Sequence, residues 1–117
     1  MDFIDVSDVA KETGFGLFGC PVGLDARVWN ECVGWNETDN ETQDYQEEDA
    51  RLWDILFVGG SKLQMNPNDI LHKDFVQFQI YCLLRDGKSV ESVPVNFKIE
   101  KTMLNGIHGL IVRYGDS

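Results

Sequence analysis

The chain has 117 residues, 43% of them apolar and 26% charged. That is long enough for one domain with a real core, spanning 1–117, and too apolar for a disordered segment. Against 10 bases stand 20 acids, a formal net charge of −10, which argues against direct binding to the DNA phosphate backbone, permits a basic partner and serves equally as a solubility device.

The start, Met1-Asp2-Phe3-Ile4-Asp5, is acidic and lacks the basic region of a signal peptide, so the expected location is the cytoplasm. No apolar run reaches the length of a membrane helix. Cys20, Cys32 and Cys82 are scattered and form no C-x-x-C, so buried free thiols are expected in place of a disulfide framework or a zinc site. The sequons at Asn36 and Asn40 carry no weight in a chain that is not secreted.

In chain order, Phe3 to Val6 reads as a short strand. Ser7 is a plausible N-cap for a short helix through Val9, Ala10 and Thr13, which Gly14 can end. From Gly14 to Gly23 the chain is glycine-rich. Gly14-Phe15-Gly16-Leu17-Phe18-Gly19 matches G-x-G-x-x-G, but no strand precedes it, so a loop plugging apolar side chains into the core is the better reading. A second helix begins at Asp25. Val28, Trp29, Cys32 and Val33 form its inner face, and Arg27, Asn30 and Glu31 its outer one.

From Asn36 to Asp49 the chain is polar and acidic: Glu37, Asp39, Glu41, Asp44, Glu47, Glu48 and Asp49 occur with no base among them. Neither the calcium-loop spacing nor a singled-out pair of carboxylates is present. The residues read as a solvated loop or as a docking patch for a basic partner.

The central run has Leu52, Ile55, Leu56, Gly59 and Leu63 at helical spacing, with Trp53 widening the stripe. Glu47, Arg51 and Asp54 lie on the opposite face. Glu47, Glu48 and Asp49 suit the helix N-terminus, and Gly59-Gly60 offers a stop or a thin spot against a neighbour. A buried strand over Leu52 to Val58 is the competing reading. Ser61 to Asp74 reads as a loop with a turn at Asn66-Pro67-Asn68-Asp69. His72 there has no second ligand nearby, so no metal or other cofactor is expected.

The last third alternates with period two in three runs, around Val76–Leu84, Val93–Glu100 and Leu110–Tyr114. A tight turn at Asn105-Gly106 pairs Leu104 with Ile107, Ile99 with Val112 and Phe97 with Tyr114. A first loop over Arg85 to Lys88 pairs Ile80 with Val93 and Phe78 with Val95. It leaves odd residues of the middle strand bonded to the first strand and even ones to the third, where Pro94 loses little. The Trp29 and Trp53 helices then cover the apolar face, while Gln77, Gln79, Lys98, Glu100 and Arg113 face water. The expected fold is α+β: a short N-terminal strand and two to three helices on one face of a three-stranded antiparallel meander.

Four stretches carry a resemblance. They are Phe3-Ile4-Asp5-Val6-Ser7 with Ala10-Lys11-Glu12-Thr13-Gly14-Phe15; Pro21-Val22 with Asp25-Ala26-Arg27-Val28-Trp29 and Cys32-Val33-Gly34-Trp35; Arg51-Leu52-Trp53-Asp54-Ile55-Leu56; and Leu84-Arg85-Asp86-Gly87-Lys88. Together they resemble the small family catalogued as domain of unknown function 6573, found in bacteria and on phages and plasmids. The resemblance implies a soluble domain in a mobile-element setting. It brings no reaction and no catalytic residue.

No Ser/His/Asp set, Cys/His pair or metal cluster has motif spacing, so an enzyme is not the expected reading. The first expectation is a non-enzymatic acidic interaction protein of a phage or plasmid that occludes a basic surface, for instance of a host defence component. The alternative is a small-molecule sponge for nucleotide signals, with a pocket at the interface of a homo-oligomer near Phe18, Trp35, Tyr45 and Arg51.

Overall fold

The computed structural model describes residues 3–116; Met1 and Asp2, part of the acidic start, lie outside them. The elements in chain order are strand β1 (Phe3–Asp5), helix α1 (Ser7–Ala10), a 3-10 turn (Gly14–Phe18), strand β2 (Val22–Asp25) and helix α2 (Ala26–Val28), which runs into a π-helical turn (Trp29–Val33). Helices α3 (Glu37–Thr42), α4 (Glu48–Met65) and α5 (Pro67–His72) follow, then strands β3 (Phe75–Cys82), β4 (Val93–Leu104) and β5 (Ile107–Tyr114).

The fold is α+β, with a mixed five-stranded sheet in the order β1-β2-β5-β4-β3. The expected meander forms its β5-β4-β3 half. The correction lies at the other edge: β2 pairs parallel with β5, Leu24 beside Val112, and β1 pairs antiparallel with β2. Val22 and Leu24 are buried, but they sit beside Gly23 in a stretch too short and glycine-rich to show a strand period.

The second hairpin has the expected register, Leu104 with Ile107 through Phe97 with Tyr114. Its turn places Asn105 at φ 51° and Gly106 at φ 82°, both left-handed, as a two-residue turn of this hand requires. The first hairpin keeps its faces but slides by two residues: Ile80 meets Val95 and Phe78 meets Phe97. Its loop runs from 83 to 92 instead of 85 to 88, because side chains from the first half of the chain hold Leu83 and Leu84 away from the ladder. The odd–even rule survives the slide. The Lys101 amide donates to Asp74, and the Gly115 amide donates to Asn96. Pro94 therefore falls on the side that faces past the end of β5.

Helix α4 covers the apolar face. Leu52, Ile55, Leu56, Gly59 and Leu63 are all buried, as the spacing predicts. Gly59-Gly60 does not stop the helix; it thins it. A Cβ on Gly59 would lie 2.9 Å from the Phe78 ring, and one on Gly60 would lie 2.7 Å from the Gly14 nitrogen. The helix thus lies directly on β3 and on the 3-10 turn, whose Phe15 is 1% exposed. Most of Ser61–Asp74 is helix as well, since α4 runs on to Met65 and α5, Pro67–His72, starts with a proline in its first turn, where proline is favoured.

Two expectations about α4 are corrected. Trp53 is 39% exposed and stacks on Phe57, with ring centroids 5.9 Å apart, so it does not roof the sheet. Arg51, assigned to the outer face, is 6% exposed. The outer sheet face is also drier than expected. Gln77 and Gln79 are exposed, but Glu100 Oε1 sits 3.1 Å from Lys98 Nζ and 3.4 Å from Arg113 Nε. Beside them Leu104 and Ile111 are buried, where Gly23 leaves room for the Phe3 ring. No helix among the described residues is long and apolar enough to cross a membrane.

Candidate functional site

The acidic segment is folded. Asn36 and Asp39 cap α3 reciprocally: the Asp39 amide donates to Asn36 Oδ1 at 3.1 Å, and the Asn36 amide donates to Asp39 Oδ2 at 2.8 Å. Asn40 Oδ1 then accepts from both the Trp35 indole (2.9 Å) and the Gln46 amide (3.0 Å), folding the segment back on itself. Sequence reading took these residues for a connecting loop because α3 has no apolar stripe to reveal it.

The seven acids do different work. Asp39 is 8% exposed and holds Arg85 Nε at 2.8 Å, so it belongs to the scaffold. Glu48 accepts the Trp35 amide at 3.2 Å, and Glu47 accepts the Tyr45 hydroxyl at 2.9 Å. Glu37, Glu41, Asp44, Glu47, Glu48 and Asp49 are exposed, on α3, on the turn after it and on the first turn of α4.

Beneath this platform lies a guanidinium that no motif announces. Arg51 donates through Nε to the Val33 carbonyl (2.9 Å), through Nη1 to the Leu83 carbonyl (2.9 Å) and more weakly through Nη2 to the Glu31 carbonyl (3.4 Å). Its Cζ lies 4.3 Å from the centroid of the Trp35 ring. Burial lowers its pKa, and the carbonyl oxygens replace the water it has lost. The π-helical turn exposes carbonyls to this fork. The loop after β3 is held from the same side: the Arg85 amide donates to Glu31, and Gln43 Nε2 donates to the carbonyls of Leu84 and Ser89. Inside that loop Asp86 takes the amides of Lys88 and Ser89. The Ser89 hydroxyl and both amides hold its carboxyl down to about 2.

Arg51 grips the residues next to two cysteines. Cys32 and Cys82 are both buried and line one cavity of about 120 Å³ with Arg51, Asp54, Tyr81 and others. The Cys82 thiol is the largest cause of a shift that holds Cys32 down to about 7, while Cys82 itself is pushed up. Cys32 Sγ lies 3.4 Å from the Tyr114 hydroxyl, which donates to Glu31 Oε1 at 2.5 Å. Tyr114 has a single proton, and Glu31 takes it, so the Cys32 thiol donates to the tyrosine oxygen.

Of the residues expected to form a ligand pocket, the structure unites Trp35 with Arg51 and spends each on the other. Tyr45 is 67% exposed beside Glu47. Phe18 lines a separate cavity of about 180 Å³ with Ile70, Leu71, Lys101 and His108. Among the described residues no group of three or more His, Cys, Asp or Glu could hold a metal ion.

The molecule is thus a small α+β domain with an acidic platform, a buried arginine clamp and a dithiol. Comparison with family models, with curated proteins and with solved structures finds no match, so the resemblance to domain of unknown function 6573 stands on its four stretches alone.

Proposed function

We propose that the protein is a non-enzymatic interaction module whose acidic platform docks on a basic surface of a partner protein, and that it serves a phage or plasmid by covering that surface on a host defence component. The observation that carries this reading is the ordering of the acids. The six exposed carboxylates stand on a segment tied down by Asn40, by the Asn36–Asp39 box and by the Asp39–Arg85 ion pair. A preordered charged surface loses less conformational entropy on docking than a free tail would. Its charge also speeds encounter with a basic partner. Arg51, two residues past the segment, is buried, and Arg85 is paired with Asp39.

The test is a pull-down from phage-infected or plasmid-bearing cells. Wild type is compared with a variant carrying Glu37→Gln, Glu41→Gln, Asp44→Asn, Glu47→Gln and Asp49→Asn. Wild type should retain a basic protein that added salt releases, and the variant should lose it. Equal retention by both would remove the platform from the account.

A further inference from the structure

Two buried thiols from distant parts of the chain line one cavity in the core, Cys32 on the π-helical turn and Cys82 at the end of β3. One side chain sets their placement. Arg51 bonds the carbonyls of Val33 and Leu83, each the residue directly after a cysteine, both at 2.9 Å, and reaches the Glu31 carbonyl before Cys32 at 3.4 Å. The fork therefore fixes both cysteine-bearing segments relative to one another. The thiols line the same cavity of about 120 Å³. A path for a proton leads outward from Cys32: the Tyr114 oxygen lies 3.4 Å from Cys32 Sγ, and its hydroxyl reaches Glu31 Oε1 at 2.5 Å. The Glu31 side chain is 46% exposed, so the path ends in water.

We propose that Cys32 and Cys82 form a redox-active dithiol that closes to an intramolecular disulfide with hydrogen peroxide as the two-electron oxidant. Cys32 gives up its proton along Tyr114 to Glu31. Its thiolate sulfur attacks one peroxide oxygen, the O–O bond breaks, and Cys32 becomes a sulfenic acid while hydroxide leaves and takes up a proton to form water. The Cys82 sulfur then attacks the Cys32 sulfur, the S–O bond breaks, and the leaving oxygen departs as a second water with the Cys82 proton. Two thiols are oxidised by two electrons and one peroxide is reduced to two waters. Cys32 is the attacking sulfur because the path through Tyr114 to Glu31 carries its proton out to water. Arg51 is a positioning residue, touching backbone beside both sulfurs.

The test uses the full chain, reduced and then exposed to hydrogen peroxide, denatured, alkylated and peptide-mapped by mass spectrometry. The expected product is a monomeric chain with Cys32 linked to Cys82, lighter by two hydrogens and restored by dithiothreitol. Cys82→Ser should stop at a Cys32 sulfenic acid that dimedone traps, whereas in Cys32→Ser the Cys82 thiol should stay reduced. Arg51→Lys keeps the charge and loses the fork. It should slow disulfide closure by about tenfold or more while the alkylation rate of Cys20 is unchanged. Circular dichroism checks that each variant folds; if one does not, the wild-type map alone decides. Full alkylation of both thiols after peroxide, or oxidation confined to Cys20 or to links between chains, would overturn the proposal.

Discussion

Arg51→Met keeps most of the side chain's bulk and removes its fork, so it measures what the clamp contributes. The two bonds of 2.9 Å to the Val33 and Leu83 carbonyls are charge-assisted. Each contributes about 1.5–3 kcal/mol, and the acceptors left behind stay buried without that donor. Stacking on Trp35 adds about 1 kcal/mol. Against this stands the cost of keeping a charge out of water, which lowers the arginine pKa and which methionine removes; it offsets a few kcal/mol. The net expectation is a loss of about 3 kcal/mol. With a urea slope of about 1.5 kcal/mol/M for a chain of this size, the unfolding midpoint falls by roughly 2 M. Arg51→Lys should lose nearly as much, since an ammonium cannot span both carbonyls. If either variant unfolds within about 0.5 kcal/mol of wild type, the clamp is not what joins the π-helical turn to the loop after β3.

Gly60→Ala brings a methyl against the Gly14 backbone, which cannot yield, whereas Gly59→Ala meets only the Phe78 ring. Thermal melts should show the first losing about 3 kcal/mol or more and the second staying within about 1 kcal/mol, because alanine's helix propensity offsets the ring's movement. Gly106→Ala forces a side chain onto φ 82° and should cost about 1 kcal/mol in the same assay. The Asp86 carboxyl titrates at about 2, below its ordinary 3.8, so its contribution is fully present above pH 4 or so. That contribution is lost as pH falls towards about 2, and the Lys88 and Ser89 amides should then exchange faster. Unchanged exchange across that range would mean that Asp86 does not organise the loop. The Cys32–Cys82 bond would close a loop of about 50 residues, for which chain entropy gives up to about 4 kcal/mol. Oxidised protein should therefore melt up to roughly 15 °C above reduced protein.

What the sequence revealed followed from strong local patterns. The stripe from Leu52 to Leu63 and the register around Asn105-Gly106 came out as read, because periodicity and a two-residue turn each fix faces unambiguously. The parallel β2–β5 pair was illegible, since a four-residue strand gains its identity from a partner about 90 residues away. The register of the first hairpin slipped for a similar reason. Faces alone cannot distinguish a shift of two residues, and the decision lay with Arg51, Arg85 and Gln43. Arg51 itself was misplaced because a charged residue at the border of an apolar stripe reads as exposed. Only the cluster of carbonyls from three segments shows why it turns inward. The platform acids were visible as composition, but the difference between Asp39 and its neighbours was not.

The claim on which the functional reading rests is that the acids from Glu37 to Asp49 stand on an ordered platform and not on a solvated coil. Native-state amide hydrogen exchange tests it directly. The amides of Asp39, Gln43 and Gln46 donate to Asn36 Oδ1, the Asp39 carbonyl and Asn40 Oδ1. They should exchange at least about a hundredfold slower than in an unfolded peptide, and Asp39→Ala should release all three together. Exchange of these amides at the unfolded rate in the intact protein would contradict the account.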